Sequence, residues 1–152
     1  MKQIIFLTLI LSTIGCASVP AKPGDSKQDN TVESLFGIEW KLTEIKISGK
    51  TVVLNRESMK DEFTINFSDE RISGKAFPNR YSAPYETRIG NNLSFKQIVS
   101  TRMLAMNEPY PIKEDDYLKY MQTINSWNLI NGTLCLRGIS ETGNEVLLFF
   151  SK

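Results

Sequence analysis

The sequence predicts a mostly β fold of the α+β class: an incomplete antiparallel β-barrel or curved sheet of about eight or nine short strands, with one amphipathic helix packed against it. Three observations predict it. Apolar and polar residues alternate in short runs separated by clusters of Gly, Asn, Asp and Pro. Asn131-Gly132 sits between two such runs, the strongest short hairpin signal. Late in the chain, after Lys113, the apolar period changes to that of a helix.

Each element can be justified in order. Ile38, Trp40 and Leu42 alternate with Glu39, Lys41 and Thr43, the period of a half-buried strand. Ser48-Gly49-Lys50 reads as a turn, residues 51–54 as a short β segment and residues 55–62 as a polar loop. Phe63, Ile65 and Phe67 make a second clear strand before the turn Ser68-Asp69-Glu70. Residues 71–77 return as a strand with Ile72, Gly74 and Ala76 on one face; side chains this small predict a close neighbour above them. Pro78-Asn79 is expected to end regular pairing. Residues 81–89 read as an irregular strand, Gly90-Asn91-Asn92 as a turn, Leu93 and Phe95 as a short strand, and residues 98–103 as another.

Pro109 and Pro111 bracket a turn. Glu114, Asp115 and Asp116 then place negative charge at a helix start, where the dipole favours it. Tyr117, Leu118, Met121 and Ile124 follow at helical spacing, in a helix of about 12 residues. Trp127 and Leu129, then Leu134 and Leu136, flank the Asn-Gly turn, and the run at residues 146–150 suggests a strand buried on both faces. Trp40, Phe63, Phe67, Phe95 and Trp127 all fall on expected core faces.

The N-terminus reads as an address. Lys2 is followed by an apolar run at residues 4–14, broken only by Thr8, Ser12 and Thr13. A bilayer span needs about 20 apolar residues, so this run suits a signal peptide instead. It ends in Thr13-Ile14-Gly15-Cys16, which looks like a bacterial lipobox with Thr where Leu is usual. The expected division is a signal peptide at 1–15, a lipidated Cys16 and flexible tether at 16–34, and one domain at 35–152. An ordinary signal peptide cleaved near Ala17-Ser18 is the alternative. Residues 18–31 are mostly Pro, Gly, Lys, Asp, Ser and Asn, too poor in apolar surface to offset their ordering entropy. Ala17 after the cysteine resembles an outer-membrane sorting pattern. The expected location is therefore the bacterial envelope, at the outer membrane, held by acyl chains on Cys16.

Charge and composition exclude several classes. Lys2 is one of 18 basic residues, and without it 17 basic face 17 acidic residues. That balance gives no net electrostatic reason to bind nucleic acid. The chain has 0 histidines, which removes the commonest general base and metal ligand. No Gly-rich phosphate loop, CxxC pair or metal-ligand spacing occurs, so neither cofactor nor metal is expected. Asp115 and Asp116 project about 100° apart on a helix and do not converge. Cys135, between Leu134 and Leu136, is either a small apolar packing residue or a reactive thiol, with no histidine to activate it.

The candidate site lies in two blocks: Gly74 with Asn79-Arg80-Tyr81-Ser82 and Tyr85, then Thr101-Arg102-Met103. Asn79-Arg80-Tyr81 reads either as a polar site, with the Arg fork taking a carboxylate or phosphate, or as a structural turn; Thr101-Arg102 reads the same two ways. A convergence of Arg80 and Arg102 would favour the site. Together these blocks resemble the META domain, the family of HslJ-like envelope proteins, over residues 36–150. Pro78 and Ala105 stand where that family has two cysteines. A disulfide of that kind contributes about 2–4 kcal/mol. The resemblance implies an incomplete antiparallel barrel with a helix against it. It implies a non-enzymatic, monomeric envelope protein that contacts a protein partner in envelope stress, secretion or motility. An alternative is a small module holding a lipid or hydrophobic ligand in a cracked-barrel cleft between sheet and helix.

Overall fold

A computed structural model describes residues 31–54, 62–105 and 110–152. The signal peptide, Cys16, the tether up to residue 30, the loop at 55–61 and Pro109 lie outside the described residues. The strands are β1 (Trp40–Ile47), β2 (Lys50–Val53), β3 (Thr64–Phe67), β4 (Arg71–Ala76), β5 (Asn79–Arg88), β6 (Asn92–Phe95), β7 (Val99–Ser100), β8 (Ile124–Ile130), β9 (Thr133–Ile139) and β10 (Glu145–Ser151). One helix, α1 (Glu114–Gln122), lies between β7 and β8. A 3-10 turn at Val32–Leu35 precedes β1 and already buries Leu35, whose carbonyl accepts the Trp40 indole N–H at 3.3 Å.

Eight strands form a ring, β1-β3-β4-β5-β6-β8-β9-β10, which β10 closes by pairing antiparallel with β1. β2 lies outside the ring on β1, and β7 outside it on β5. The mostly β barrel with one helix is what the sequence predicts. Its weak point is local: β6 and β8 share one register pair, Asn92 with Ser126, helped by a bond from the Trp127 N–H to the Asn91 carbonyl.

Inward positions fill the ring. Trp40, Phe63, Ile65, Leu93, Leu134, Leu136, Leu148 and Phe150 are all buried in one cluster, so the barrel is a packed core. The five expected core aromatics, Trp40, Phe63, Phe67, Phe95 and Trp127, are all buried. The helix adds Tyr117 and Met121 to the same cluster. Asn131 and Gly132 both take positive φ, as the expected hairpin turn requires.

Several boundaries differ from the sequence reading, each for a physical reason. Pro78 and Asn79 do not end pairing: Phe77 and Pro78 form the turn, and Asn79 opens the ten-residue β5 opposite Ala76. The expected strand at 98–103 pairs only at Val99–Ser100, because Met103 is drawn off to Asn79. The helix is nine residues, not twelve; Thr123 caps it, and Ile124 begins β8 while still pointing into the core. The run at 146–150 is buried on one face and half-buried on the other, where Lys46 lies over the Phe149 ring at 4.8 Å.

Candidate functional site

The two sequence blocks meet at one corner of the barrel, where the start of β5, the chain at 101–103 and the first turn of α1 converge. Asn79 is the point of convergence and is buried. Its Nδ2 donates to the Met103 carbonyl at 3.1 Å and to Glu114 Oε2 at 2.6 Å. Its Oδ1 accepts the Thr101 hydroxyl at 2.6 Å and the Met103 N–H at 2.8 Å. Those four bonds use the amide's two donors and both acceptor sites. Thr101 locks the same joint: its hydroxyl accepts the Arg80 N–H at 3.2 Å and its N–H donates to the Arg80 carbonyl at 3.0 Å.

Tyr81 points inward beside this knot. Its hydroxyl donates to the Thr64 carbonyl at 2.8 Å and lies 3.0 Å from the Tyr117 hydroxyl. The proton of Tyr81 being committed to Thr64, Tyr117 is the donor between the two rings. Burial pushes the Tyr81 hydroxyl well above its ordinary pKa, with the neighbouring Tyr117 adding to the shift. Burial likewise raises Tyr117, against a smaller lowering by its bond to Tyr81. Gly74 explains the small face expected on β4: a Cβ there would overlap the Thr64 carbonyl oxygen and sit 2.9 Å from the Tyr81 ring. The glycine is what lets β3 come close enough for the tyrosine bond.

The remaining candidates face outward. Arg80 and Arg102 are exposed, and among the described residues neither makes an ion pair. Arg80 stands directly across from Lys75 on the outer face, and Arg71 on that face donates to the Ser82 hydroxyl at 3.0 Å. Arg80, Ser82, Val99 and Thr101 border a shallow depression of about 300 Å³. A second depression of about 400 Å³, between Glu86, Arg88, Asn92 and Asn125, marks the thin β6–β8 seam. Val99, Met103 and Leu104 are exposed beside the arginines, Leu104 at 97%. Sequence reasoning passed over Leu104 and over the part Glu114 plays at Asn79. An apolar pair, Met103-Leu104, in a stretch with little pairing was the available signal.

Cys135 lies on the outer face of β9, half-buried, its thiol pushed up by burial and kept in the unreactive protonated form. Among the described residues no group of three or more His, Cys, Asp or Glu could hold a metal ion, and no helix is long and apolar enough to cross a membrane.

The chain matches the META domain family over residues 33–152. No curated protein matches it. A solved structure is similar, the NMR structure of a protein from Burkholderia xenovorans, at a TM-score of 0.59 and 20% identity, covering 88% of this chain and 99% of that one. At that identity the likeness speaks for the fold alone.

Proposed function

This chain belongs to the META domain family, and from that premise we propose that it is a lipid-anchored protein of the bacterial envelope, held at the outer membrane through Cys16, which acts by contacting a protein partner and not by catalysis. Its setting would be envelope stress, secretion or motility. The observation that carries the contact reading is the division of the motif. Asn79, Tyr81 and Gly74 are spent inward on holding the barrel corner, and the Thr101 hydroxyl is bonded to Asn79. What they leave on the surface is cationic and apolar: Arg80, Arg102, Val99, Met103 and Leu104. Such a surface suits docking.

A hydrophobic ligand between sheet and helix is the weaker reading. Tyr117 and Met121 fill that space among the described residues, packed with Phe63 and Tyr81.

Two arms test the proposal. Labelling cells with an alkyne fatty acid should tag the full chain, and Cys16→Ala should abolish both the tag and membrane retention. Photo-crosslinking residues placed at Val99, Leu104 and, on another face, Ile139 should then trap a discrete partner in native membranes. A chain that stays untagged, or that traps nothing from any position, would overturn it.

A further inference from the structure

Two strands lie outside the ring, β2 and β7. Each is paired on one side only among the described residues. They are unlike. Lys50 and an adjoining turn sit on β2, the usual guard of an edge. β7 carries no charge, and an exposed extended stretch continues it through Thr101, Arg102, Met103 and Leu104. Backbone parity fixes what that edge offers. The Thr101 N–H is turned toward β5, so by alternation the Ser100 N–H and carbonyl face away from it.

Among the described residues, the charges on β4, β5 and the stretch after β7 beside this edge are basic, while the acidic first turn of α1, Glu114 to Asp116, lies at its far end. Arg80 and Lys75 oppose each other on the outer face, Arg71 lies four residues along β4 from Lys75, and Arg102 follows on the edge itself. Residues 98–105 contain no carboxylate. Glu114, at the far end, is turned inward to Asn79 and away from the outer face. Although the charges of the chain balance as a whole, the outer face beside this edge is cationic among the described residues. A second copy of the chain would bring arginine against arginine, which is unfavourable across strands.

We propose that the β7 edge, from Val99 to Leu104, takes an extended acidic peptide of a partner protein as an added strand, its carboxylates on the outer face with Arg80, its apolar side chains on the opposite face toward Leu104, and Arg102 adding to the attraction along the edge. The inference rests on the protein-contact reading and gives that contact its place and chemistry. Main-chain pairing supplies affinity and the cations supply selection. The reach is adequate: strands lie about 4.8 Å apart, so a side chain on the added strand is about 10 Å from β5, within the combined span of Glu and Arg.

The probe is a capped fluorescent peptide of about eight residues, the length of an ordinary strand, alternating Glu and Val. It is titrated by fluorescence polarisation against the full-length chain in mild detergent. The expected result is binding at least tenfold tighter than that of a Lys-Val counterpart, weakening with salt. N-methylation of the peptide's alternate amides should abolish binding, and Arg80→Glu with Arg102→Glu should reverse the preference between the two peptides. Equal binding of both peptides, indifference to N-methylation, no binding, or dimerisation of the chain in place of peptide binding would each overturn the proposal. The two readings fail separately. Crosslinks from Ile139 but none from Val99 or Leu104 would keep a protein contact and remove this edge from it. Peptide binding with no crosslinked partner in native membranes would keep the edge chemistry and sink the proposed function.

Discussion

Asn79 and Arg80 are neighbours on β5, and pleating sends them to opposite fates. Asn79 turns inward, where water is excluded and all four of its hydrogen-bonding positions are used by Thr101, Met103 and Glu114. Arg80 turns outward, where solvent competes for every bond it could make. The same division separates Tyr81 from Ser82 and Gly74 from Lys75. A family motif can thus be mostly scaffold, with the residues interleaved with it left at the surface.

The comparison can be broken from its inward side first. Gly74→Val should have the largest effect, because its Cβ would overlap the Thr64 carbonyl and the clash is with backbone that cannot swing aside. A loss of about 3 kcal/mol or more is expected, read as failure to fold or a fall in Tm of roughly 10 °C or more. Asn79→Ala should cost about 2–4 kcal/mol, since the Glu114 carboxylate and the main chain of Met103 lose their shared partner in a site with little water. Urea unfolding would read this as a lower midpoint at unchanged slope. Tyr81→Phe should cost about 1–2 kcal/mol, as the Thr64 carbonyl is left without a donor.

Alkali probes the same interior. Burial raises the folded-state pKa of both Tyr81 and Tyr117 above the usual 10.0. Above that value the unfolded chain sheds protons that the folded chain keeps, so the unfolded state gains. Stability should be level below about pH 9 and fall as pH rises past about 10, by up to about 1.4 kcal/mol per pH unit for each tyrosine. Tyrosinate absorbance from these two rings should appear only together with loss of near-UV circular dichroism. Ionisation of all tyrosines ahead of unfolding would contradict the buried pair.

How much of this was legible in sequence depended on range. Alternation located the core aromatics, and Asn131-Gly132 its hairpin, because both signals are local. Alternation stops being a guide where the backbone slips: a bulge between Leu42 and Glu44 moves the inward position of β1 from even to odd residues, so Ile45 is buried. Ile124 kept helical spacing with Met121 although the helix had ended, since a strand start can aim a side chain at the same core. The role of Asn79 was least legible. After a proline it looks like a turn residue, and its partners lie 22 to 35 positions away. No local pattern carries that information.

The smallest stability effect is expected on the outward side, and it bears on the central claim most directly. The unfolding free energy of an Arg80→Ala, Arg102→Ala double variant should be measured beside that of Asn79→Ala. The arginine pair should stay within about 0.5 kcal/mol of the parent, as for exposed surface residues, while Asn79→Ala falls by about 2–4 kcal/mol. A double variant that loses as much as Asn79→Ala would put the arginines in the scaffold and contradict the division between an inward structural half and an outward functional one.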